Sequence, residues 1–198
     1  MRDKFTNLVK ALSRYCVIPD AQWDALDSRI IRREFAAGEY FDKAGNVSKE
    51  ICVVEKGLFR SFYRNANGDE FIKNFCTEGQ VLGSFSSLLT KKPSELSIQA
   101  LEPSVVHILD YGVFEEFCRN NHCWETSGRI LAQYVFLESD RKEHQLLVYN
   151  AAERYEFFLK THEKIAKRIH QYMIAMYLGI SPVSLSRIIN SRAKPSKA

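Results

Sequence analysis

The sequence predicts an α+β chain: a strand-rich N-terminal half, one long helix, and a small helical module at the end. Three observations predict this. Short β-type runs separated by Gly and Asn turns fill the region between residues 29 and 110. From residue 124 to about 149 a helical pattern runs with no internal proline. Beyond residue 150 the apolar residues recur in short helical pieces, and from Lys164 onward there is no Asp or Glu at all.

At 198 residues, the chain fits one large domain or a larger domain with a small appendage. A hydrophobic share of 45% supports a real core, and 13 Phe with 9 Tyr suit a packed β-rich body. The first residues, MRDKFTNLVKALSRY, are expected to form an amphipathic helix over 6–15, with Leu8, Leu12 and Tyr15 on one side. Their scattered charges do not suit a secretory signal, and no apolar run has the length of a membrane span. The expected location is the cytoplasm, with no membrane partner. Pro19 ends that helix, and Asp20 is expected to cap a second one through Leu26.

Strands are expected at 30–35, 51–55, 58–64, 70–75, 96–101 and 105–109. Between Arg64 and Glu70 lies Asn65-Ala66-Asn67-Gly68-Asp69, whose Asn-Gly step signals a hairpin. Many short strands at regular spacing indicate a small barrel or sandwich rather than a parallel sheet. Helices follow at 111–120 and 124–149. In the second, Ile130, Leu131, Tyr134, Val135 and Leu137 recur at helical spacing, and Leu146, Leu147 and Val148 resume the pattern after the wholly polar stretch 138–145. A helix with apolar faces at both ends can pair with its own copy, or pack on its own barrel, and the polar centre argues against a continuous coiled coil. Further helices are expected at 152–160, 163–169, 171–178 and 182–189, with a boundary near Asn150.

The most specific segment is Ile174-Ala175-Met176-Tyr177-Leu178-Gly179-Ile180-Ser181-Pro182-Val183-Ser184-Leu185-Ser186-Arg187-Ile188. Small Ala175 lets two helices cross closely. Gly179 accepts the left-handed conformation that ends the first helix, Ser181 caps the second, and Pro182 takes its first position, where no N–H is needed. Ile174, Leu178, Ile180, Leu185 and Ile188 form a shared core, leaving Ser184, Arg187 and Ser191 on the other face. This is the pattern that a DNA-reading helix-turn-helix needs, its second helix entering the major groove, and an ordinary helical hairpin is the alternative. Arg187 has the chemistry to grip a guanine, and Ser181, Ser184 and the helix start suit a phosphate. The basic residues Lys164, Lys167, Arg168, Arg187, Arg192, Lys194 and Lys197 suit a polyanionic partner.

This order of parts resembles the Crp/Fnr family of bacterial regulators over nearly the whole chain. The stretches Ala152-Glu153-Arg154-Tyr155, Phe157-Phe158-Leu159 and Tyr172-Met173-Ile174-Ala175, with residues 181–188, are similar to one branch of it. The resemblance implies a β-barrel/jelly-roll of cyclic-nucleotide-binding type at 1–122, a long dimerisation helix at 123–150 and a helix-turn-helix DNA-binding domain at 151–198. It implies a homodimer on a near-palindromic double-stranded operator, with RNA polymerase as a further candidate partner. The residues expected on DNA are Ser181, Pro182, Val183, Ser184, Arg187, Ser191 and Arg192. Two features depart from the family. Val183 stands where an acidic residue often helps read a base, and residues 191–198 are too short for the usual β-wing.

The same resemblance locates an effector pocket at Gly83, Ser84, Phe85, Ser94, Glu95 and Ser139. Members that bind a cyclic nucleotide use a Glu on the ribose and an Arg on the phosphate; here Ser84 replaces the first, and Ser94-Glu95 replaces the Arg-Ser pair. A phosphate without its arginine loses a charge-assisted partner worth roughly 1.5–3 kcal/mol. Cyclic AMP is therefore not the expected effector, no cofactor is expected, and any other effector is left unnamed. The five cysteines (Cys16, Cys52, Cys76, Cys118, Cys123) form no CxxC pair and match no iron–sulfur spacing. His107, His122, His144, His162 and His170 have no metal-ligand spacing, and no GxSxG, GxxxxGK[ST] or GxGxxG occurs, so no catalytic residue is assigned. An alternative function is a ligand-sensing interaction protein of the same fold that does not bind DNA specifically. Phe157-Phe158 and the missing acidic residue at 183 would suit it.

Overall fold

The computed structural model describes residues 17–193; the helix expected at 6–15, Cys16, Lys194 and Lys197 lie outside the described residues. Helix α1 (Asp20–Asp27) opens the described chain. Pro19, not Asp20, occupies its cap position, and Asp20 falls in the first turn. Eight strands follow: β1 (Ile31–Phe35), β2 (Tyr40–Asp42), β3 (Glu50–Lys56), β4 (Phe59–Arg64), β5 (Glu70–Cys76), β6 (Val81–Leu82), β7 (Ser97–Ala100) and β8 (Ser104–Asp110). A short helix, α2 (Phe85–Thr90), interrupts them. The expected strands are all present within a residue or two at their ends, while β2, β6 and α2 were not foreseen. The first two are three and two residues long, too short for alternation to register.

The strands form two antiparallel four-stranded sheets, in the orders β1-β8-β3-β6 and β2-β7-β4-β5. Phe35, Val54, Phe59, Leu82, Ile98 and Val106 are buried between them, the core of a jelly-roll. The β4–β5 hairpin turns on Asn65, whose side-chain oxygen accepts the backbone N–H groups of Asn67 and Asp69, each at 2.9 Å. Gly68 supplies the positive φ of 89° that this turn demands.

After β8, Asp110 caps α3 (Tyr111–Asn120) by accepting the Val113 N–H at 3.1 Å. Helix α4 (His122–Val148) then runs for 27 residues. Its first half closes a second core beside the jelly-roll, where Trp124 meets Trp23 edge-on at 5.2 Å and packs with Ile51, Val53, Leu88 and Phe114. Helices α5 (Ala151–Thr161), α6 (Glu163–Ala166), α7 (Gln171–Leu178) and α8 (Pro182–Ala193) complete the described residues. The boundary near Asn150 is a capping box: Asn150 accepts the Ala152 and Glu153 N–H groups, and Glu153 accepts the Asn150 N–H at 2.8 Å. The helix expected over 163–169 closes after one turn at Ala166, and the last helix runs past 189 to Ala193.

The terminal helices do not stand apart from the jelly-roll. Leu58, Phe62, Ile72 and Phe75 share one buried cluster with Tyr155, Phe158, Ile165, Ile174 and Leu178. Phe75 lies 6.3 Å from Phe158 and 5.6 Å from Tyr177, ring to ring. No single described helix is long and apolar enough to cross a membrane.

Gly57 fixes the turn into β4. Its φ is +115°, and a Cβ there would come within 2.8 Å of the Ser104 backbone. Gly57→Ala is expected to lower unfolding stability by about 2 kcal/mol or more in urea titrations, through strain and overlap together.

Candidate nucleic-acid interface and its link to the jelly-roll

The turn between α7 and α8 assembles from the residues the sequence singled out. Gly179 caps α7 in the left-handed conformation, with φ 68° and ψ 36°, and its N–H reaches the Ala175 carbonyl. A Cβ at Gly179 would meet only Leu146, at 4.0 Å, so conformation rather than space calls for glycine. Ser181 accepts the Ser184 N–H at 3.1 Å, and the two hydroxyls lie 2.9 Å apart. The axes of Gln171–Leu178 and Pro182–Arg192 turn by 105°, within the range of a helix-turn-helix. Ala175 is fully buried at the crossing, with Ile174, Leu178 and Leu185 around it. Arg154 braces the unit, donating to the Leu178 carbonyl at 3.2 Å and to the Tyr149 carbonyl at 2.6 Å.

Helix α8 therefore shows its N-terminal half to solvent. Ser181, Pro182, Val183, Arg187 and Ser191 are exposed, and Ser184 is half-buried behind its cap. Arg187 makes no ion pair among the described residues, whereas Arg192 is bound to Glu156 at 2.6 Å and lies over the Tyr155 ring. The acid-free basic stretch is thus partly neutralised by acids from elsewhere. Lys167 pairs with Glu163, and Arg168 reaches Glu78 at 3.1 Å and Glu102 at 2.6 Å. Those two carboxylates belong to the jelly-roll, and Glu78 also accepts the Gly57 N–H.

The residues assigned to an effector pocket divide into two groups. Ser84 and Ser94 are buried and bond each other at 2.7 Å, while Ser94 also bonds the Leu96 backbone. Glu95 is exposed. Gly83, Phe85 and Ser139 line a cavity of about 180 Å³ between the jelly-roll and α4. That cavity reaches further than the sequence suggested, past Lys73 and Lys142 to His162 and Tyr177.

Lys142 was missed in the polar run of the long helix. Its ammonium donates to the carbonyls of Ile72 at 2.9 Å and Lys73 at 2.7 Å, and sits 3.6 Å over the Tyr177 ring. One side chain on α4 thereby touches β5 and the first helix of the helix-turn-helix. Burial, with a smaller push from Lys73, brings it down to about 7 from the ordinary 10.5. Burial and then Lys142 lower the neighbouring His162, and burial with Glu138 raises Tyr177 to about 12. A second missed group is Arg60, buried on the outer face of its sheet between Glu70 at 2.6 Å and Gln99 at 2.8 Å, so its guanidinium is already engaged.

The Lys142 shift has a consequence for stability. Between about pH 7 and its ordinary value of 10.5 the unfolded chain keeps a proton that the folded chain releases, so stability rises with pH in that range. Burial raises Cys52 and Cys76, which oppose the trend once unfolded thiols ionise near ~8.5. Urea midpoints measured from about pH 7 to about pH 8 are expected to rise more steeply for the wild type than for Lys142→Met.

Residues 32–121 match the cyclic nucleotide-binding domain family. The fumarate and nitrate reduction regulatory protein of Yersinia pestis is 23% identical over 194 residues, which cover 90% of this chain and 77% of that one. FixK2 from Bradyrhizobium japonicum superposes with a TM-score of 0.73 at 16% identity, covering 82% of this chain and 83% of the other. The catabolite activator protein of Thermus thermophilus gives 0.58 at 20% identity, covering 92% and 86%. Residues 32–121 are therefore similar to the cyclic nucleotide-binding domain family, and the described chain shares the fold of these solved regulators.

Proposed function

We propose that the chain is a homodimeric, DNA-binding transcription regulator whose effector is not cyclic AMP. The observation that carries the DNA reading is α8: a capped helix with an exposed N-terminal half and an arginine free of acidic partners among the described residues. Such a helix enters the major groove, Arg187 reads a guanine edge, and the Ser181 end of the helix meets phosphate. Val183, 61% exposed, offers an apolar contact such as a thymine methyl takes. The relatives named for regulation support the same class of function. Arg192 joins this surface only by giving up Glu156, so its contribution is smaller than that of Arg187.

The dimer reading rests on α4. Phe136 and Leu147 are 68% and 78% exposed, and Leu137 and Val148 are 56% and 62% exposed. Each pair is separated by about three helical turns and so falls on one face. A second copy of the helix covers these residues, bringing two recognition helices onto one operator with half-sites about 34–36 Å apart. The effector reading rests on the Ser84–Ser94 pair, which offers hydroxyls where a cyclic phosphate needs a cation.

Selection of sites from random duplex DNA tests the main claim: a near-palindrome is expected, and its absence at low salt would contradict it. Arg187→Ala is expected to weaken binding to that site by about 1–3 kcal/mol and to relax preference at one base pair per half-site, read by fluorescence anisotropy. Phe136→Glu with Leu147→Glu is expected to halve the mass seen by light scattering while leaving the circular dichroism unchanged.

A further inference from the structure

The cavity beneath Lys142 has an unusual balance of charge. Leu82, Phe85 and Leu131 supply apolar lining, and the buried Lys142 ammonium and the exposed Lys73 side chain supply the basic lining. Neither lysine has a carboxylate within ion-pair distance among the described residues. Among the described residues, the one acid on the cavity wall is Glu138, held by Arg141 at 2.6 Å. Burial, and after it the charge of Lys73, disfavours the charged form of Lys142, which falls back on two carbonyls and an aromatic face. An anion placed between the two lysines would restore the missing counter-charge in a partly desolvated site, where charge-assisted contacts count most. A volume of about 180 Å³ is small beside the ~300–1,000 Å³ of pockets for drug-sized ligands, which limits the occupant to one ring or a short branched body.

We propose that this cavity binds a small organic carboxylate, with its carboxylate between Lys142 and Lys73 and its apolar body against Phe85 and Leu131. The inference rests on the reading of this region as an effector site and gives that effector a chemical class. It also gives the occupant a route to the DNA-binding unit. A carboxylate that draws Lys142 toward the cavity alters its hold on the β5 carbonyls and on Tyr177 of α7.

Calorimetric titration of the full chain with benzoate tests the proposal, with benzamide as the neutral match and cyclic AMP as the rival ligand. Just above neutral pH, in two buffers of different ionisation heat, benzoate is expected to bind saturably and to take up protons as Lys142 becomes charged. Benzamide is expected to bind at least about tenfold more weakly, the loss of one charge-assisted contact. Lys142→Met is expected to lose the proton uptake and a similar factor in affinity. Because Lys142 also supports packing, Lys73→Gln serves as a second variant, expected to bind benzoate several-fold more weakly with an unchanged melting temperature. Absence of saturable benzoate binding, equal binding of benzamide, wild-type affinity in both variants, or binding of cyclic AMP in preference to benzoate would each overturn it. Should the selected operator still be bound in any of those cases, the carboxylate site falls and the regulator reading stands.

Discussion

The structure depends on one apolar seam, where the β4–β5 hairpin meets the helices that carry the helix-turn-helix. Leu58, Phe62, Ile72 and Phe75 come from the jelly-roll, and Phe158, Ile165, Ile174 and Leu178 come from the terminal helices. Each such side chain contributes roughly 1.5–3 kcal/mol when fully buried. The partly exposed Arg168 pairs with Glu78 and Glu102 belong to a class worth about 0–1 kcal/mol each. Burial therefore holds the two parts together, and the ion pairs set the register in which they meet. Lys142 lies on the margin of this seam and binds to both sides of it.

That arrangement gives a signal a short path. A carboxylate bound as proposed beside α4 would act on Lys142, and Lys142 touches the β5 carbonyls and the Tyr177 ring. Tyr177 is in turn packed on Phe75 and Phe158, in the centre of the seam. Nothing in this chain of contacts needs a long-range change of fold. A shift in how one ammonium divides its bonds is enough to alter how firmly α7, and with it α8, is seated.

Much of this was legible in the sequence where the cause is local. Gly179, Ser181 and Pro182 lie within four positions, and each owes its identity to its own backbone or to a neighbour's N–H, so the turn and its caps could be read directly. Asn65 and Gly68 declare the β4–β5 hairpin in the same way. The jelly-roll strands were visible by composition, except for the two- and three-residue β6 and β2, whose identity comes from their partners β3 and β7. Lys142 was not legible. It sits in a wholly polar run that reads as a solvated face, and it is covered by residues about 70 and 35 positions away in sequence. The charge of the C-terminal stretch misled for the same reason. Arg168 and Arg192 find their acids on distant elements, which leaves Arg187 to face solvent.

The central claim is that the jelly-roll and the helix-turn-helix share one core and behave as one cooperative body. Differential scanning calorimetry of the chain without DNA tests it most directly, at a protein concentration fixed to hold self-association constant. The account predicts one transition whose calorimetric and van't Hoff enthalpies agree, splitting into two when Phe158 is replaced by alanine. Two separate transitions in the wild-type chain would contradict it, since they would mean that the helix-turn-helix folds and moves independently of the hairpin on which it rests.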